Sequence, residues 1–371
     1  MRMRAAVCGV AGAGLVIEDL ALADPGPTEV LVRIDAAGIC HSDYHYLTGD
    51  LVCSLPVVPG HEGAGVVEAV GGQVSLVRPG DQVCLMWRPR CGQCGFCLTG
   101  RPALCQAGAI HAASGGLLDG TSRLRRADGG QVHHLLGVSC FAEYAVVSER
   151  AVVPIPADVA PEVAAITGCA VITGVGAVLN VIGGCAGQGV AVFGAGGVGL
   201  SVVMAAALSG AHPIVAVDMV SERLDAAQRL GATHLIDADA EDVADAIAEI
   251  QPGGVDWAVE AIGRPDTLAQ AFDAVRPGGT LVAVGLAARS QQLQVPVNAL
   301  VQREKRIVGS LYGSSNPLID IPRLLELYRA GRLPIDQLIG RRYPLDSIND
   351  AFANLVGDGV GRGIVLPWSQ P

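Results

Sequence analysis

A hydrophobic run, Val190-Ala191-Val192-Phe193, leads directly into Gly194-Ala195-Gly196-Gly197-Val198-Gly199, and this junction constrains the chain more than any other feature. The six residues fit G-x-G-x-x-G, and an apolar stretch through Ala207 continues them. A second apolar run, 213–218, ends in Asp218, 19 residues beyond Gly199. Strand, glycine turn, helix and a second strand closed by an acid make the βαβ unit that binds dinucleotides. Gly194 permits the tight turn, Gly196 lets backbone approach a pyrophosphate, and Gly199 lets helix and strand pack closely. Gly197 and Val198 open the helix, whose free N–H groups favour phosphate. Asp218 accepts hydrogen bonds from ribose hydroxyls and repels a 2′-phosphate, so the expected cofactor is NAD rather than NADP. Arg223, five residues on, is a further candidate for ribose or adenine contact.

The rhythm on either side differs. After about Gly168, strand candidates at 234–236, 255–259, 280–284 and 306–311 are separated by helix-length segments, one of them 222–230 with Ser221 as its expected N-cap and Gly231 as its stop. That pattern predicts a doubly wound parallel sheet of the Rossmann kind. Before it, short strands at 29–34, 65–70 and 82–85 are broken by turns at 24–27 and 78–81, which predicts a partly open β-barrel. Helical segments at 321–330 and 348–356 are read as returning to the first domain, which is therefore discontinuous. The expected domains are 1–170, 171–311 and the return 312–371. The strand 306–311 is expected at a sheet edge, where pairing with a second copy predicts a homodimer.

Length and charge narrow the function classes. A chain of 371 residues suits about two domains, and 50% apolar with 16% charged residues is enough to bury a large core. Lys and Arg number 25 against 36 Asp and Glu, a net charge of −11. That balance argues against nucleic acid and against an anionic membrane surface as partner. No uninterrupted apolar run reaches the ~18 residues of a membrane span. Met1-Arg2-Met3-Arg4 leads quickly to Glu18 and Asp19 without a signal-peptide pattern, so a cytoplasmic location is expected.

Eleven cysteines in a reducing compartment are not expected to form a disulfide framework. Cys91, Cys94, Cys97 and Cys105 follow the spacing C-x2-C-x2-C-x7-C in a glycine-containing lobe at about 88–106. Four thiolates so placed suit a closed, tetrahedral structural zinc, which has no open position for chemistry. A catalytic zinc needs three protein ligands and one free place. Cys40 in Gly-Ile-Cys-His-Ser-Asp, His61 in Pro-Gly-His-Glu-Gly and Cys169 in Gly-Cys are the candidates, although each alone also suits a packed core.

These motifs, with Asp119-Gly120-Thr121-Ser122-Arg123, His133-His134 and Thr173-Gly174, together resemble the zinc-dependent alcohol dehydrogenases of the medium-chain dehydrogenase/reductase superfamily. The likeness runs nearly end to end and is nearest to the long-loop group that includes thiol-dependent formaldehyde dehydrogenases and nicotinoprotein alcohol dehydrogenases. The resemblance implies a GroES-like barrel, two zinc ions per subunit, and reversible hydride transfer between an alcohol or aldehyde and NAD. It assigns Cys40, His61 and Cys169 to the catalytic zinc and the four-cysteine lobe to the structural one. Asp43 would orient His61, and Glu62 would lie behind the metal. Ser42 would bind the alcohol and pass its proton by way of the cofactor ribose to His45. His41 and Arg362 would face the pyrophosphate; a histidine where relatives carry arginine is expected to weaken that contact and make it pH-sensitive. Leu51, Trp87, Phe141 and Leu286 match positions lining the substrate pocket, and a bulky Trp87 favours apolar primary alcohols.

Three other readings stand beside this one. A thiol-dependent formaldehyde dehydrogenase needs a cationic mouth, for which Arg123, Arg125 and Arg126 are candidates. A nicotinoprotein would retain its cofactor. A non-enzymatic, zinc-stabilised NAD-binding module would dispense with Ser42 and His45.

Overall fold

The computed structural model describes residues 1–108 and 114–369. The chain divides into two compact units, one formed by Met1–Cys169, Asn316–Arg329 and Ile339–Pro371, the other by Ala170–Ser315 and Ala330–Leu338.

The first unit is built on strand Glu29–Gly38, in which Val30, Val32 and Ile34 alternate into the core at 0% exposure. It pairs antiparallel with Glu62–Val70 on one side and with Arg362–Leu366 on the other, and Tyr144–Ser148 joins it as well. Gln82–Leu85 and Val152–Pro154 extend the sheet beyond Glu62–Val70, and Ile339–Pro344 extends it beyond Arg362–Leu366. A second sheet runs in the order Arg2–Val7, Val16–Leu22, Leu124–Arg125, Gln131–His134, Val57–Val58. Two mainly antiparallel sheets enclosing one apolar cluster give the expected half-open barrel, with Phe141, Leu85 and Ile39 fully buried in it.

The second unit holds six parallel strands. Their spatial order is His234–Asp237, Ile214–Asp218, Val190–Phe193, Val255–Glu260, Val275–Ala283, Arg306–Gly309. In chain order this reads 3-2-1-4-5-6, the doubly wound arrangement, with its switch point beside Val190–Phe193. Helix Gly197–Leu208 is apolar on every side and correspondingly buried. Arg306–Gly309 lies at one edge and His234–Asp237 at the other.

Two local expectations change, and one helix stands out. Ser221 is the first residue of helix Ser221–Arg229 rather than its cap; Val220 precedes the helix, and the Ser221 hydroxyl bonds Glu222 instead. The return segment is divided, because Leu333, Ile335 and Leu338 are fully buried and Ala330–Leu338 belongs to the second unit, against helix Gly197–Leu208. The continuous helical stretch Pro161–Ile182 is long and apolar enough to cross a membrane, yet most of it is buried inside the protein, as in a core helix. Its turns widen to π-helical geometry at Thr167–Val171 and again at Ala177–Ile182.

Candidate functional site

Neighbouring strands deliver the first cluster. Strand Glu29–Gly38 runs into Cys40, its partner Glu62–Val70 begins immediately after His61, and its other partner begins at Arg362. Gly38 lies opposite Glu62, and a Cβ at Gly38 would stand 2.2 Å from Glu62 Oε2, so only glycine lets this carboxylate fold in behind Cys40. Cys169 arrives from the first π-helical turn of the long helix, whose opening segment Pro161–Ile166 packs on the same two strands. π-Helical turns are rare and recur at functional sites. One ligand atom each from Cys40, His61, Glu62 and Cys169 lies within 4.8 Å of the others, and all four residues are buried.

The chemistry of this cluster is that of a cation site. Cys40 is also the N-cap of helix His41–Thr48, its Sγ accepting from Ser42 N at 3.5 Å. A hydrogen bond from the Cys169 thiol, then Arg362 and His61, hold the Cys40 thiol well below its ordinary range despite burial. Sharing that hydrogen bond, together with burial, pushes Cys169 well up. Burial opposes a charged His61, but Asp43 and Cys40 outweigh it and raise the imidazole. His61 Nδ1 lies 3.0 Å from Asp43 Oδ2, and Asp43 Oδ1 accepts from Gly60 N at 3.0 Å. A carboxylate on one ring nitrogen fixes the tautomer and frees the other for a metal. Arg362 donates from Nε to Glu62 Oε2 at 2.9 Å and from Nη2 to Glu62 Oε1, and it reaches Cys40 Sγ at 3.2 Å. With Glu62 held by this buried pair, two sulfurs and one imidazole remain as a donor set that suits zinc with one place open.

The second cluster is local. Sγ–Sγ separations are 3.6 Å for Cys94–Cys97, 3.9 Å for Cys94–Cys105 and 4.0 Å for Cys91–Cys97. Four sulfurs about 2.3 Å from a tetrahedral zinc stand about 3.8 Å apart, so the lobe fits the ion. Backbone N–H groups point at the sulfurs, from Cys91 and Gly108 to Cys105 and from Cys94 to Cys91, at 3.2–3.3 Å. N–H groups of Cys97 and Gln106 hold Cys94 down to about 6, while burial pushes Cys97 up to about 12.

In the second unit, Gly194 has φ +91°, and a Cβ at Gly199 would sit 1.7 Å from Gly194 O. A Cβ at Gly196 would meet nothing within 4 Å, leaving the space through which a pyrophosphate approaches the backbone. No side chain caps the helix that starts at Gly197. Asp218 ties the loop to the neighbouring strand end: Oδ2 accepts from Ala195 N at 2.7 Å, and Oδ1 accepts from Met219 N and Val220 N. Arg223 Nη1 lies 3.9 Å from Asp218 Oδ1.

Known proteins share this combination. Residues 26–157 match the alcohol dehydrogenase GroES-like domain and residues 197–329 the zinc-binding dehydrogenase family. The chain is 40% identical to the NDMA-dependent alcohol dehydrogenase of Amycolatopsis methanolica, over 99% of both chains. It is 35% identical to the S-(hydroxymethyl)glutathione dehydrogenase of Komagataella pastoris, over 98% of this chain and 97% of that one. The crystal structure of benzyl alcohol dehydrogenase from Acinetobacter calcoaceticus superposes with a TM-score of 0.92 at 36% identity, covering 99% of each chain. The chain belongs to the zinc-dependent alcohol dehydrogenase family. It is an alcohol oxidoreductase of the medium-chain superfamily.

Other expected site residues of this dehydrogenase take varied positions. Ser42 and His45 lie on helix His41–Thr48, with His41 exposed at its start. Trp87 packs edge-on against His61, ring centroids 6.2 Å apart, and so walls the cluster. Phe141 is fully buried against Phe352 in the barrel core, Leu51 is buried, and Leu286 is exposed on the second unit. The three loop arginines are engaged within the protein. Arg123 forks onto Glu29 at 2.7 and 2.8 Å, Arg126 onto Glu18 at the same distances, and Arg125 donates to Gly129 O at 3.4 Å. Sequence reasoning missed the buried Arg362–Glu62 pair, the π-helical turn under Cys169 and the contact between His45 and Asp50. The first two depend on long-range pairing and helix winding; the third had a local signal in the acid five residues beyond the histidine.

Proposed function

We propose that this dehydrogenase interconverts apolar primary alcohols and aldehydes with NAD, using Cys40, His61 and Cys169 to hold the catalytic zinc and Cys91, Cys94, Cys97 and Cys105 to hold the structural one. The observation that carries the reading is the buried thiol–imidazole–thiol set whose His61 is oriented by Asp43. When bound, zinc supplies Lewis acidity to the alcohol oxygen and the nicotinamide supplies the hydride acceptor. The protein's own groups do the rest. Asp43 keeps the His61 Nδ1 side occupied, so the ring presents its other nitrogen to the metal. Arg362 neutralises Glu62 behind the cluster, which leaves the thiolates to set its charge. Trp87 excludes water on one flank and disfavours polyols. Ser42 Oγ would accept the alcohol proton as it gives up its own, and His45 Nε2 would receive the relayed proton for release to water. Asp218 selects against a 2′-phosphate, and the Gly196 opening admits the pyrophosphate.

The engaged state of Arg123 and Arg126 favours this reading over an anionic thiol adduct as substrate. Retention of the nicotinamide through the catalytic cycle is a second reading, supported by the likeness to a relative named for dependence on NDMA. The exposed edge strand Arg306–Gly309, with Val297 and Val301 exposed in the same unit, supports association of two copies. One purified preparation tests these points. Zinc is quantified, bound nicotinamide is measured after gel filtration, and benzylic, aliphatic and polyol substrates are compared with NAD and NADP. Two zinc ions per chain and preference for apolar primary alcohols with NAD are expected. A single zinc confined to the lobe in active protein, or a preference for polyols, overturns the proposal.

A further inference from the structure

We propose that Asp50 is a positioning residue that holds His45 by Nδ1 and so fixes it as a proton acceptor at Nε2. The inference rests on the relay reading of His45 given above.

Helix His41–Thr48 ends at Gly49, whose φ of +91° turns the chain back along the last helical turn. This reversal brings Asp50 Oδ2 to 3.0 Å from His45 Nδ1. The Thr48 hydroxyl donates to the same carboxylate oxygen at 3.0 Å and approaches His45 O at 3.3 Å. Leu51 N donates to His45 O at 2.9 Å, closing the bracket through the main chain. Asp50 thus holds the imidazole at Nδ1 while Thr48 and Leu51, from the same short segment, hold the His45 carbonyl. The hydrogen bond to His45, then that from Thr48, hold the Asp50 carboxyl below its ordinary value, so it stays an anion at neutral pH.

A carboxylate can only accept. Its contact at Nδ1 therefore requires the neutral ring to carry its proton there, which leaves the Nε2 lone pair free. A histidine without this partner divides its proton between the two nitrogens and rotates about its side-chain bonds. In the relay step a proton is transferred to Nε2, the Nδ1–H bond to Asp50 stays intact, and the imidazolium forms beside a fixed negative charge. The Nε2 proton then leaves to water; a quarter of the His45 side chain is exposed. No electrons are transferred in this step, and the ring returns to the same tautomer.

The test uses the zinc- and NAD-loaded enzyme and the variants Asp50→Ala, Asp50→Glu, His45→Gln and the double variant Asp50→Ala/His45→Gln. Asp50→Ala is expected to slow single-turnover formation of reduced nicotinamide about tenfold, with the alcohol KM changed by less than about twofold. Asp50→Glu should restore part of the rate, and Asp50→Ala should cost nothing further once His45 is Gln. Nitrogen NMR of protein labelled at histidine, assigned by loss of the signal in His45→Gln, gives a reading independent of turnover. It should show the Nδ1–H tautomer in the parent and a shift towards Nε2–H in Asp50→Ala. If His45→Gln slows turnover while Asp50→Ala does not, or costs the same in both backgrounds, the Asp50 proposal fails and the relay survives. If His45→Gln leaves the rate unchanged, the relay reading itself falls and takes this inference with it.

Discussion

Four cysteines meet in the lobe because one short loop folds on itself, with backbone N–H groups pointed at the sulfurs. Cys40, His61 and Cys169 meet because two paired strands and a π-helical turn converge, with Arg362 and Glu62 sealed behind them. The first site needs only its own segment; the second exists only if the whole barrel has formed. Placing chemistry at the second makes sense physically, since buried, rigid elements hold geometry better than a half-exposed loop. The lobe keeps all its ligand positions filled by protein and serves as a local staple.

The largest effect that separates the two sites is expected from Cys40→Ala. Turnover should fall by more than about 10³-fold, and bound zinc should drop from two ions per chain to one while circular dichroism stays unchanged. Retention of both ions would erase the distinction. Arg362→Met should come next, because it strands the buried Glu62 carboxylate. The expected loss is about 3–5 kcal/mol of unfolding free energy in urea, with part recovered when Glu62→Gln is added. Unchanged stability would mean that the pair is no more than a neighbour of the cluster. Cys97→Ala should remove the other zinc and expose 88–106 to limited proteolysis, with turnover of the intact fraction reduced by less than about tenfold. A loss as deep as that of Cys40→Ala would show that the lobe shares in the chemistry. The smallest effect is expected from His41→Arg, which replaces a titrating ring by a permanent cation at the exposed start of helix His41–Thr48. NAD should bind severalfold more tightly, read by fluorescence titration at neutral and higher pH, with the gain growing as pH rises.

What could be read in the sequence follows the same division. The lobe is legible because its ligands share one segment, and the dinucleotide loop because strand, turn, helix and acid follow in order. The parallel sheet was legible from its apolar runs, and the structure adds their spatial order. The catalytic set was visible only as separate cysteines and a histidine, each equally suited to a core. Family resemblance joined them; spacing did not. Arg362 shows the limit most clearly. Its partner is Glu62, three hundred residues away, and only the pairing of both flanking strands on Glu29–Gly38 brings the two side chains together. Cys169 is similar, because its placement depends on a local widening of the helix that no apolar periodicity announces. Ser221 shows the reverse failure, a good capping residue that the backbone places one position inside the helix.

The strand Arg362–Leu366 has a consequence for the order in which the protein is made. During synthesis Cys40, His61 and Cys169 leave the ribosome before the nucleotide-binding sheet is complete, whereas Arg362 follows it. In the folded protein that strand supplies the guanidinium that pairs with Glu62 and reaches Cys40 Sγ. The charge balance of the cluster is therefore completed by a residue encoded after the whole nucleotide-binding sheet.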